Sequence, residues 1–259
     1  MAPSRISRRM SVVLFALPVL AVATACDPNE SSSPKAKPAA EASSSVAAPP
    51  APKPPAPPAA PVITVDEASC TVDGEVVQMG AADASGRIAA VLAGKPFVEG
   101  EVVSFDASRD TRTPKVAAVL QALKKMKAKA AVVHTKQRDS SMGQLQLSLE
   151  HPAIGDCSAT AMLNKDGSIA VWPAGGGGAK RFTRGFAGPD LTLGSQAVQK
   201  VASSCDSAVW LLAADDSLPW ALPFDLALAT VGSGEGGAIR ASHTVLLGAP
   251  PVAGRKVTE

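Results

Sequence analysis

The chain carries one strand–helix–strand pattern twice, and this repeat limits its possible folds more than any other feature. Val102-Val-Ser-Phe-Asp-Ala-Ser-Arg-Asp110 is a short apolar run closing on charges, as a buried strand does at its exit. Thr113-Pro114 follows, with Thr113 expected as N-cap and Pro114 as the first helical residue. Val116, Val119, Leu120, Leu123 and Met126 then recur at three and four residues and make one apolar helical stripe, within a helical run expected over 115–127. Lys124, Lys125, Lys127 and Lys129 gather where this helix should end, which suits its dipole, and the β-branched run 130–135 completes the unit. From Ser207 the pattern returns as Ala-Val-Trp-Leu-Leu-Ala-Ala-Asp-Asp216, then Ser-Leu-Pro219-Trp and an apolar helical run to Val231. Val102–Phe105 matches Val209–Leu212, and Asp110 matches Asp216. Upstream, 63–77 and 161–172 each carry an Asp-Gly turn, Asp73-Gly74 and Asp166-Gly167. The period is roughly 100 residues, too long for a solenoid and right for two tandem modules.

The fold class that follows is α+β: two β-β-α-β-α-β modules, each a small mixed sheet with helices on one face. The first module, residues 62–150, is expected to hold strands 62–66, 70–77, 102–105 and 130–135, with helices 84–92 and 114–127. Leu145, Leu147 and Leu149 alternate with polar residues as a further, half-exposed strand. The second module, residues 151–259, is expected to hold strands 159–163, 169–172, 209–213 and 239–247 with helices 191–204 and up to Val231. Pro223 is expected to delay the start of that last helix and keep it short.

Residues 1–25 read as a secretion signal. Arg5, Arg8 and Arg9 precede the apolar run 12–22, which is too short for a comfortable membrane span. The run ends Ala23-Thr24-Ala25-Cys26, which resembles a bacterial lipobox, so Cys26 is the expected lipidation site; the alternative is an ordinary Ala-x-Ala cleavage signal. Residues 26–61 then form a Pro/Ala-rich disordered tether. Eleven of the 22 prolines sit between Asp27 and Pro61 among Ala, Ser and Lys, too little apolar surface to offset ordering entropy. An extended proline-rich chain of this kind reaches on the order of 100 Å.

A secreted chain meets an oxidising space, so Cys70, Cys157 and Cys205 bear on disulfides. Cys157 and Cys205 fall in one module and are the expected pair; a bridge from Cys70 to the other module is the alternative. Net charge is only +2 and Tyr is absent, which gives no basis for a nucleic-acid partner. His134, His151 and His243 lie far apart and no Cys-x-x-Cys occurs, so no metal or cofactor is expected. Gly175-Gly-Gly-Gly-Ala-Lys180-Arg181 departs from a phosphate loop at the residues before and after the lysine.

The order β-β-α-β-α-β, the opening Ile63-Thr-Val-Asp66, the Asp73-Gly74-Glu-Val-Val turn and the central strand ending at Asp110 together resemble the periplasmic domain of the ExbD/TolR family. The resemblance covers 62–135 well and 159–247 more loosely. It implies a small domain that tends to pair, associated with peptidoglycan and envelope partners. The family's transmembrane helix carries an aspartate that couples proton flow to motion; residues 11–25 contain no acid, so that role does not carry over.

The functional expectation is a lipid-anchored, non-catalytic envelope protein in the periplasm, on the inner or outer membrane, whose modules bind peptidoglycan or an envelope protein. Lys124, Lys125, Lys127 and Lys129, with Lys136 and Arg138 nearby, are the candidate contacts to anionic lipid or wall polymer. The chain is expected to be a monomer whose modules pair with each other, bridged by the strand around Leu145–Leu149. The rival is a secreted hydrolase assembled from distant residues, with His134, His243 and Asp110 its first suspects.

Overall fold

A computed structural model describes residues 60–96, 99–150, 153–155, 157–202, 208–231 and 241–258. Pro55–Glu259 forms one compact unit, so both repeats belong to a single body. The leader, Cys26 and most of the tether lie outside the described residues.

The elements run β1 (Ile63–Val65), β2 (Ser69–Val72), β3 (Glu75–Gln78), α1 (Ala84–Ala93), β4 (Val102–Ala107), α2 (Thr113–Lys125), β5 (Ala130–Lys136) and β6 (Met142–Ser148). The second repeat gives β7 (Ala159–Leu163), β8 (Ile169–Pro173), β9 (Lys180–Phe182), α3 (Leu191–Ala202), β10 (Ala208–Ala214), α4 (Ala221–Val231) and β11 (Ala241–Leu246). The sheet orders are β3-β2-β1-β4-β5-β6 and β11-β10-β7-β8-β9, and each is mixed. Reading the second order backwards superposes it on the first, with β6 left over. The registers agree as well: Val65 stands opposite Ala107 as Leu163 stands opposite Ala214, and Val102 opposite Ala130 as Val209 opposite His243.

This register corrects one sequence match. Ser108 N donates to Val65 O as Asp215 N donates to Leu163 O, so Asp110 is equivalent to Ser217 and not to Asp216. Other expectations need correction too. The strand expected over 70–77 is a hairpin, because Asp73 and Gly74 both take positive φ, 48° and 85°, and turn the chain back. The N-cap of α2 is Arg112, with Thr113 its first helical residue. That helix stops at Lys125, and Lys127 sits in the left-handed region at φ 60°. Pro223 does not delay α4, which starts at Ala221; a proline inside the first turn has no intrahelical donor to lose. The three-residue edge strand β9 was not foreseen.

One buried cluster runs through both modules, joining Ile88, Phe105 and Leu123 of the first to Leu163, Trp210 and Phe224 of the second. The first sheet alternates buried and exposed along β4 and β6, so one face packs under helices and the other is open. The second sheet is buried on both faces. Its far side carries a separate cluster of Ala170, Trp172, Val209, Leu211 and Val245, closed by Val257 of the C-terminal segment. Trp172 Nε1 donates to Arg255 O at 2.9 Å, and Val257 N donates to Ala174 O at 3.0 Å, which pins that segment across the sheet.

Cys70 is a buried free thiol in β2, pushed up to about 11 by burial, with Asp66 adding to the shift. The alternative in which Cys70 bridges the modules is therefore set aside. Cys157 is disulfide-bonded; Cys205 lies outside the described residues.

Candidate functional site

The modules meet where α2 and α4 begin, and sequence explains why. The first amides of a helix have no intrahelical acceptor and must find one elsewhere. Arg112 gives α2 no side-chain cap. Instead Thr113 N donates to Leu218 O at 3.1 Å, while Trp220 N donates to Thr111 O at 2.6 Å and Ala221 N to Arg109 O at 3.0 Å. Each repeat thus supplies carbonyls to the helix start of the other. The pairing centres on an antiparallel bridge between Arg112 and Pro219, separated by the same number of residues as Val102 and Val209. Such a self-matched bridge is the signature of a local two-fold relation between the repeats.

Side chains complete the junction. Trp220 Nε1 donates to Thr135 Oγ1 at 2.9 Å, with both residues buried, and the Trp220 ring lies 5.9 Å from that of Phe224. Arg109 grips Asp225 with two hydrogen bonds, at 3.1 and 2.8 Å, and also donates to Lys136 O. That carboxylate is the main reason the Arg109 guanidinium is held still more firmly in its charged form. Arg138 adds a second cation 3.4 Å from Asp225. The extra strand β6 passes under α4, where Gly143 leaves no room for a side chain: a Cβ there would stand 2.9 Å from both Leu228 and Phe224.

The four predicted lysines are all exposed around the end of α2 and take different partners. Lys127 Nζ pairs with Glu99 at 2.8 Å and Lys125 Nζ donates to Ser85 Oγ at 3.2 Å, both within the first module. Lys129 contributes through its backbone, its N donating to Glu101 O. Lys124 faces elsewhere, into a groove of about 580 Å³ between α2, the end of β11 and the C-terminal segment. Val245, Leu247, Pro250 and Val252 give this groove an apolar lining, while Lys124, Arg255 and Lys256 are its charged residues; no acid lines it among the described residues. Arg255 and Lys256 were not anticipated. They follow the last apolar run, and no periodicity places them; only the hydrogen bonds to Trp172 and Ala174 bring them alongside Lys124.

Of the hydrolase suspects, His134 and Asp110 share no hydrogen bond among the described residues. His134 is half-buried in β5, opposite Asp106 of β4 and Gln144 of β6, and no hydrogen bond from it to a hydroxyl or carboxylate is present among the described residues. Asp110 is exposed in the turn before α2. His243 belongs to β11, and its side chain lies outside the described residues, as does His151. Asp215 and Asp216 share the turn before α4, where the hydroxyl and then the amide of Ser217 hold the Asp215 carboxyl below its ordinary range. Among the described residues no group of three His, Cys, Asp or Glu could hold a metal ion, and no helix is long and apolar enough to cross a membrane. Compared with known proteins, the chain matches no family model, no curated protein and no solved structure.

Proposed function

We propose that this is a lipid-anchored, non-catalytic protein of the cell envelope, held at Cys26 and carried on a proline-rich tether, whose two modules act as one head that binds peptidoglycan or an envelope partner. The observation that most supports binding is the groove beside α2: an apolar lining with Lys124, Arg255 and Lys256 and, among the described residues, no acid, on a segment already pinned to the second sheet. Preorganised cations of this kind favour an anionic polymer, and the attraction is salt-dependent. The resemblance to ExbD/TolR periplasmic domains belongs to the same proposal. Domains that pair between chains in that family would be paired here within one, leaving the head monomeric.

Two measurements test the reading. Changing Cys26→Ser moves the protein out of the detergent-extracted membrane fraction, whereas unchanged partitioning contradicts the anchor. Purified peptidoglycan co-sediments the wild-type head at low salt, and Arg255→Ala with Lys256→Ala weakens this; binding insensitive to both salt and the double change removes the groove from the proposal.

A further inference from the structure

Among the described residues the largest exposed apolar side chain is Phe186, 108% exposed. The repeat shows why this needs explanation. In the first module the chain passes from β3 to α1 through residues 79–83, and Met79 is buried. In the second, the equivalent passage from β9 to α3 takes residues 183–190 and projects Phe186 instead. Both passages end on an aspartate that caps the helix: Asp83 accepts from Gly86 N at 3.1 Å, Asp190 from Leu193 N at 3.0 Å. The ends are thus conserved between the repeats, and the added length serves the tip.

That tip is built rather than frayed. Gly185 N donates to Gly188 O at 2.9 Å and Gly188 N donates back to Gly185 O at 3.3 Å, with Gly188 at φ 122°, a conformation reserved for glycine. The turn presents Phe186 from all sides. Arg184 stands two residues before it and forms no ion pair among the described residues. Arg181 is paired with Asp166 and bonded to Ser168, while Asp190 caps its helix. Arg184 lies with its stem against Gly167, where a Cβ would come within 3.0 Å of its Cδ. The turn is thereby braced on the neighbouring β7–β8 connection.

We propose that this turn is a membrane-contact tip: Phe186 enters the interfacial layer of an anionic bilayer while Arg184, two residues before it, meets the headgroups. A lone aromatic beside a cation suits a fluid, negatively charged interface, where the ring needs no shaped pocket and the long guanidinium side chain reaches the phosphates. Leu193, exposed in the first turn of α3, adds apolar surface to the same connection.

The three native tryptophans, Trp172, Trp210 and Trp220, are all fully buried, so a new surface tryptophan reports alone. The experiment uses the chain from residue 26 onward carrying Cys26→Ser, without leader or acyl anchor, and vesicles of equal parts phosphatidylglycerol and phosphatidylcholine. Phe186→Trp is expected to shift its emission to the blue on adding these vesicles, and less with phosphatidylcholine alone. Phe186→Ser is expected to lower the vesicle partition coefficient about tenfold to hundredfold, the range that losing one buried aromatic implies; Arg184→Gln lowers it further and flattens its salt dependence. Unchanged emission from Phe186→Trp while the protein sediments with vesicles overturns the proposal, since contact then lies elsewhere. A shift with soluble envelope proteins but not with vesicles also overturns it, by making the partner a protein. Neither result touches the wall-polymer reading, which depends on Arg255 and Lys256.

Discussion

The contact between Trp220 and Thr135 gives a quantitative handle on whether the two repeats are one folding unit. Trp220 opens α4 in the second module, Thr135 lies on β5 of the first, and both are fully buried. Replacing Trp220→Phe keeps most of the ring but removes the donor that meets Thr135 Oγ1 at 2.9 Å. A buried hydroxyl left without its partner costs roughly 1–3 kcal/mol, whereas removing both partners together costs much less. Thr135→Val should therefore be destabilising in the wild type and nearly neutral beside Trp220→Phe. The double-mutant cycle is expected to close with a coupling of about 1 kcal/mol. Trp220→Ala, which also opens a cavity, is expected to cost about 3–5 kcal/mol. Urea unfolding followed by far-UV circular dichroism on all four proteins supplies the cycle. Additivity within about 0.5 kcal/mol would refute the reasoning, because residues of independent modules do not couple.

Two further outcomes follow. Peptide mapping of unreduced protein should recover Cys157 joined to Cys205, a loop whose closure stabilises the second module by roughly 4 kcal/mol in the chain-entropy model; Cys157 joined to any other cysteine would break the assignment. Asp66, Asp139, Asp166 and Asp215 are all held below the ordinary aspartate value of 3.8, chiefly by serine amides and hydroxyls. A depressed folded-state value gives stability that is present above the unfolded value and lost as pH falls through the folded one. Acid unfolding should accordingly set in below pH 3.8, and Asp215→Asn should flatten the curve there; a loss centred near neutrality would contradict it.

Much of the architecture was legible because the repeat wrote it twice. The stripe from Val116 to Leu123 and the buried run of β10 are strong signals and fall where the periodicity puts them, whereas β4, read as a buried strand, alternates and leaves Val102 exposed. What escaped was decided by tertiary contacts. β9, Lys180-Arg181-Phe182, is a charged edge strand with no alternation to betray it. Thr113 looks like a cap, yet its amide and hydroxyl both turn to Leu218 O, a carbonyl far along the chain. The Asp110–Asp216 match slipped by one residue because two adjacent acids, Asp215 and Asp216, offer equal sequence partners while only the backbone ladder fixes register. The lysines at the end of α2 were visible as a cluster, but their division between Glu99, Ser85 and the groove depends on neighbours no local pattern names. Arg255 and Lys256 reach that groove only because Trp172 holds the chain above them.

The repeats hold each other by the reciprocal caps at Arg112 and Pro219 and by the shared core. Cutting the connection between β6 and β7 tests this most directly. A protease site placed at residues 150–153 lets the head be cleaved into its two repeats under native conditions. The halves are expected to stay together after cleavage, co-elute on gel filtration at the mass of the uncut head, and part only in denaturant. Two halves that separate on cutting, each folded and monomeric, would contradict it.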